Sequence, residues 1–80
     1  MSLPALILTA SLTAPTSNVS DAELLAAAER AFAEGSALRG DEARARPAFA
    51  RAAREYDELW RRGLTNPELA RNRAFAHRLA

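Results

Sequence analysis

Eighty residues allow one small domain at most, and a chain of that size buries only about 60% of the surface its unfolded form exposes. Eleven Arg side chains against ten acidic ones leave a net charge of +1, which argues against a general polyanion binder. The absence of cysteine excludes disulfides and cysteine-based metal sites.

About a quarter of the chain is Ala and Lys is absent, a bias that fits a GC-rich genome and also favours helix, since Ala loses no side-chain entropy on ordering. Residues 1–17, "MSLPALILTASLTAPTS", carry no charged side chain. The run from Leu3 to Ala14 has the length of a signal-peptide core and is too short to span a bilayer. Small residues near Ala10 and Ala14 suit cleavage, whereas the lack of a preceding Arg or Lys and the presence of Pro15 do not. Residues 1–19 are therefore a leader with two readings: an export signal, which would place the protein in the envelope or outside the cell, or a loosely packed segment (or mis-called start) of a cytoplasmic protein. Any membrane association is expected through that signal alone.

Ser20 opens the ordered part. "SDAE" is a capping box, with Val19 placed to staple onto Leu24. Leu24, Ala27 or Ala28, Ala31, Phe32, Gly35 and Leu38 follow at three- and four-residue steps, one face of an amphipathic helix that Gly40 is expected to stop. Gly35 inside that helix costs about 1 kcal/mol relative to Ala, which suggests a close backbone approach there. After the polar connector "DEARARP", Pro47 places the second helix from Ala45 or Arg46, with Pro47 in its first turn. Its apolar face is Phe49, Ala52, Ala53, Tyr56, Leu59 and Trp60, and Gly63 ends it. Asn66 caps a third helix opened by Pro67. Short connectors make neighbouring helices antiparallel. On the third helix Leu69, Asn72, Ala76 and Leu79 share the side assigned to the second helix, Arg71, Phe75 and Arg78 share another, and Ala70, Ala74 and His77 form a small-residue strip. That much apolar and small surface predicts a further neighbour beyond residue 80.

From Phe49 onward the chain resembles a tetratricopeptide repeat (TPR) passing into the next. Phe49, Ala52, Tyr56 and Leu59 follow the repeat's second-helix pattern, Pro67 its inter-repeat turn, and Asn72 to His77 stand where the next repeat opens with Asn-Leu-Gly-Asn-Ala-Tyr. "YDELWRRGLTNPEL" is similar to a run in bacterial Bat-type, aerotolerance-associated TPR proteins, through Tyr56, Leu59, Gly63, Asn66, Pro67 and Leu69. Arg73 and Ala74 replace the repeat's usual Leu and Gly, and "GDEARARP" would be an insertion. The resemblance implies an all-α fold: an antiparallel TPR-like hairpin over 20–65 and the first helix of a second repeat over 66–80, a fragment of an α-solenoid. It also implies a scaffold whose first helices line a groove for a protein or peptide partner. "RAFA" recurs at Arg30 and Arg73 out of that register and carries no repeat signal.

Chemistry is sparse. "GSALRGDE" has the glycine spacing of a phosphate loop but places Asp41 and Glu42 where Lys and a hydroxyl residue belong. His77 is the lone histidine and has no converging ligand within a turn, so a surface role is expected, with no metal and no cofactor. Asp57 and Glu58 are adjacent on a helix, about 100° apart, and read as a solvated face rather than an acid–base pair. Trp60 reads as core, and Arg61 and Arg62 as cations at a helix C-terminus. We expect no catalysis and no small-molecule substrate. The candidate partner-binding residues are Arg71, Asn72, Phe75 and Arg78, and the last helix also offers a surface for self-association. The competing reading is a small three-helix DNA- or RNA-binding domain using the Arg-rich last helix; near-neutral charge and the lack of a basic face on the first two helices weigh against nucleic acid.

Overall fold

The computed structural model describes residues 19–80, so the leader and its export-signal reading fall, but for Val19, outside the described residues. It is all-helical: α1 (Asp21–Ala37), α2 (Glu42–Arg61) and α3 (Pro67–Leu79), with no strand among the described residues. None of these helices is long and apolar enough to cross a membrane.

The start of α1 is the capping box in full. Ser20 Oγ accepts the Glu23 N–H at 3.2 Å, and Glu23 Oε1 accepts the Ser20 N–H at 3.1 Å. Val19 packs against the cluster that holds Leu24, as a staple does. The far end differs from expectation: α1 stops at Ala37, and Gly40 is not the terminator. Leu38 shares its N–H between the Glu34 and Gly35 carbonyls (3.2 and 3.1 Å), and the Asp41 N–H closes a turn on the Leu38 carbonyl at 2.8 Å. This tightening ends the helix without the left-handed residue that would require glycine. The described glycine with positive φ is Gly63, at 96°.

The second correction concerns the start of α2, which lies at Glu42, so that Pro47 sits inside the helix. Proline removes one N–H and leaves the carbonyl four residues back, on Ala43, without its helical partner. Ala43 and Pro47 are both exposed, so water can serve that carbonyl. In return, the extra turn carries Ala45, which is buried and lines a cavity with Phe49. The C-terminus of α2 matches expectation. Gly63 N–H bonds the Trp60 carbonyl and Leu64 N–H the Leu59 carbonyl, both at 3.0 Å, and half-buried Leu64 packs on the core. That pair of bonds about a left-handed glycine is a Schellman motif. Asn66 Oδ1 accepts the Leu69 N–H at 2.8 Å, and Pro67 opens α3.

Contacts fix the directions. Asp21 at the start of α1 meets Arg62 past the end of α2 (2.9 Å), and Glu34 meets Arg51 (2.6 Å), so α1 and α2 are antiparallel. Asp57 meets Arg73 and His77, so α3 returns antiparallel to α2. Consequently α1 and α3 run in the same direction, and Phe32 of α1 meets Phe75 of α3 with ring centroids 5.8 Å apart. Phe32 also packs edge-on to Phe49 (5.6 Å) and Tyr56 (6.3 Å), which makes it the joint of all three helices. The core beneath comprises Leu24, Ala28, Ala31, Ala52, Ala53, Tyr56, Leu59, Leu69 and Ala76. Many of these are alanines, which let helix backbones come close. Gly35 takes this furthest: a Cβ there would stand 2.9 Å from the Phe49 ring.

Candidate functional site

The same-direction pair α1 and α3 leaves a furrow between them, floored by α2. At the end nearest the start of α3 it deepens into a cleft of about 70 Å³. Leu25 and Glu29 form its α1 wall, Tyr56 its floor, and Asn66, Glu68, Leu69 and Asn72 its α3 wall. Tyr56 is 1% exposed, and its hydroxyl makes no hydrogen bond. Burial raises its pKa. The Asn72 side chain stands close enough to oppose that shift but outside hydrogen-bonding geometry, and the carboxylates of Glu29, Glu68 and Glu55 reinforce it. Further along, Phe32 and Phe75 meet at the furrow's middle, and its far end is basic. The guanidinium of Arg78 lies 5.1 Å and that of Arg39 5.8 Å from the Phe75 ring centroid, within reach of a cation–π attraction.

The four sequence-chosen residues therefore divide. Asn72 lines the cleft. Phe75 and Arg78 form the aromatic and basic stretch, and Arg71 is exposed on α3. Phe75 was expected on an open face of α3. It is instead half-buried against Phe32, because the parallel run of α1 and α3 brings their aromatics level. The surplus apolar surface expected on α3 shrinks accordingly. Leu69 and Ala76 are buried, Phe75, Leu79 and Ala70 are half-buried, and Ala74 and His77 remain exposed. Glu29, Tyr56, Glu68 and Arg39 were not foreseen. Only the Tyr56 hydroxyl carried a sequence signal, since a tyrosine assigned to a core needs a partner for its O–H.

On the opposite side a polar seam joins α2 to α3. Arg73 Nε donates to Asp57 Oδ1 at 2.7 Å, and His77 Nε2 lies 2.9 and 3.0 Å from the two Asp57 oxygens. The Arg73 guanidinium also covers the half-buried Trp60 ring at 4.9 Å. His77 thus has a partner twenty residues away, and Asp57 is not simply solvated. Glu58 likewise accepts from Arg61 (2.8 Å) and Arg62 (3.1 Å). Arg62, beyond complementing the end of its helix, donates to the Val19 carbonyl at 2.7 Å and to Asp21 at 2.9 Å, clasping the end of α2 to the start of α1. Asp57 and Glu58 diverge, as adjacent helical residues must. Among the described residues no group of three or more His, Cys, Asp or Glu is placed to hold a metal ion. The depression of about 350 Å³ lined by Arg51, Arg54, Glu55, Asp57, Glu58 and Arg61 lies along α2 alone, and its mixed charges give it no directed field.

These carboxylates set an acid response. Burial alone would raise the Asp57 carboxyl, but hydrogen bonds from Arg73 and His77, with their charges, outweigh it and hold it below its ordinary value. Hydrogen bonds from Arg61 and Arg62 lower Glu58. Both contribute stability that is complete above the unfolded carboxylate range, near about pH 4, and lost as pH falls through the lowered folded values. Glu55 has the opposite sign, because burial raises it and acidification relieves a cost. Urea unfolding at a series of pH values is expected to show stability level or slightly rising from pH 7 to about 5 and falling below about 4. Asp57→Asn should lower stability at pH 7 by about 0.5–1 kcal/mol and flatten the acid fall. A full acid fall in that variant would contradict the assignment.

No protein-family model matches this chain, and neither a curated protein nor a solved structure does.

Proposed function

We propose that the protein is a non-catalytic interaction module of TPR-like design, with α1 and α2 as the helical hairpin and α3 as the first helix of a following repeat, and that it binds an extended peptide along the furrow between α1 and α3. The observation that carries this reading is the same-direction pairing of α1 and α3 through Phe32 and Phe75, both helices laid on the intervening α2. Stacked repeats present alternate helices side by side in that manner and use the channel between them for ligands. Arg71 and Arg78 make no ion pair among the described residues, and Arg78 lies on the Phe75 face, so a guanidinium can meet an acidic side chain or a terminal carboxylate while the aromatic edge takes an apolar one. Asn72 can bond the peptide backbone.

The nucleic-acid reading weakens on the same geometry. Of the five arginines beyond Trp60, Arg61, Arg62 and Arg73 are held by Glu58, Asp21 and Asp57. Two remain, too few for the phosphate contacts that a specific DNA complex uses.

The test is fluorescence anisotropy with a labelled peptide of alternating Leu and Asp. It is expected to bind saturably, and Arg71→Ala with Arg78→Ala is expected to weaken it about tenfold or more, the loss of one or two charge-assisted contacts. Unchanged affinity in the double variant would remove these residues from the site. Stronger binding to random-sequence duplex DNA, steeply salt-dependent, would favour the alternative.

A further inference from the structure

We propose that the cleft at the Asn66 end of the furrow is a subsite for a cationic side chain, a lysine or arginine, of the bound peptide. The inference rests on the furrow reading and adds the chemistry of one end of the ligand.

Two independent observations converge. The first is the Tyr56 hydroxyl, at the floor of the cleft, buried and without a hydrogen-bond partner. Buried polar groups are nearly always paired, and this phenolic oxygen can accept a hydrogen bond from a donor held in the cleft. The second is the charge of the walls. Glu29 from α1 and Glu68 from α3 face the cleft from opposite sides, and the fields of both reach that hydroxyl. Neither makes an ion pair among the described residues, a state they share with Glu23, which is engaged in the capping box, and Glu55, which lies on α2 away from the cleft. Glu68 also suits the first turn of α3 on dipole grounds, but that does not account for Glu29 across the gap.

The chemistry that fits is a donor-rich cation. The side-chain oxygens of Glu29, Glu68, Asn66, Asn72 and Tyr56 are acceptors, and an anion would meet two carboxylates. The cleft is small, about 70 Å³, and an ammonium or guanidinium head is small enough to enter it. Leu25 and Leu69 offer the apolar surface on which the stem of such a side chain lies. The furrow is then polar along its length: acidic near Asn66, aromatic at Phe32 and Phe75, basic at Arg39 and Arg78. A peptide is oriented with its basic residue toward the start of α3 and its acidic residue toward the end.

The test is an NMR amide titration of the full chain with N-acetyl-argininamide and with N-acetyl-citrullinamide, its uncharged near-isostere. The arginine probe is expected to shift the amides of Leu25, Glu29, Leu69 and Asn72 saturably, and the citrulline probe is not. Glu29→Gln with Glu68→Gln, both exposed and so not needed for folding, is expected to weaken the arginine titration at least fivefold. Equal shifts from both probes, no saturable shift, or an unchanged titration in the double variant would overturn the subsite. The Leu–Asp peptide measured on that same variant is expected to bind at least as tightly, because two like charges leave the furrow. That arm reads the furrow alone, so the subsite can fail while the furrow stands.

Discussion

Phe49→Ala is expected to lower stability by about 3–5 kcal/mol, the usual cost of emptying a buried phenylalanine site. Phe49 is 2% exposed, lies under the Gly35 turn of α1 and meets Phe32 edge-on at 5.6 Å. Its neighbours include Phe32 and Gly35 of α1, and helix backbones held by their own hydrogen bonds close only partly over the space a missing ring leaves. A domain of about 60 residues has a total stability of only about 3–9 kcal/mol. The variant should therefore be substantially unfolded at 25 °C by circular dichroism, and a melting temperature within a few degrees of the parent would show that the ring of Phe49 does not hold α1 and α2 together.

Gly35→Ala is the second large effect, and its sign opposes helix propensity. Ala would gain about 1 kcal/mol in an exposed helix. Here its methyl would stand 2.9 Å from Cγ, Cδ2 and Cε2 of the buried Phe49 ring, so the ring or the helix backbone must shift to admit it. Overpacking of that kind costs about 1–3 kcal/mol, so we expect net destabilisation of about 1–2 kcal/mol by urea unfolding. Pairing the change with Phe49→Leu separates the two terms. The double variant should be more stable than the sum of the single losses allows, by about 1 kcal/mol, since the side chains are in contact and their effects are coupled. Strict additivity, or stabilisation by Gly35→Ala alone, would rule out the close approach.

What the sequence disclosed follows from range. Signals that act within one turn were readable: the Ser20–Glu23 box, the Asn66 cap with Pro67, and the left-handed Gly63 all appear where their spacing put them. The start of α2 was not readable, because the local penalty of Pro47 competes with burial of Ala45, which depends on where α1 lies. Gly40 looked like a stop, yet the turn after Ala37 closes through shared backbone bonds that any residue can make. Gly35 was legible as a close contact, but its neighbour Phe49 was not. In the site, Asn72 and Arg78 could be named from the α3 face alone. Glu29 and Tyr56 could not, because they join that site only when α1 and α3 come side by side across α2, a contact with no spacing in the chain to announce it. The same holds for Asp57 and His77, twenty positions apart.

Every functional statement depends on α3 closing onto α1 and not merely trailing from α2. The direct measurement is a carbon-edited nuclear Overhauser spectrum of the full chain with assigned aromatic rings. Ring protons of Phe32 and Phe75, whose centroids lie 5.8 Å apart, are expected to give a clear cross-peak, together with cross-peaks from Phe32 to Phe49 and Tyr56. Retention of the Phe49 and Tyr56 peaks with no Phe32–Phe75 peak would leave the hairpin in place and contradict the furrow.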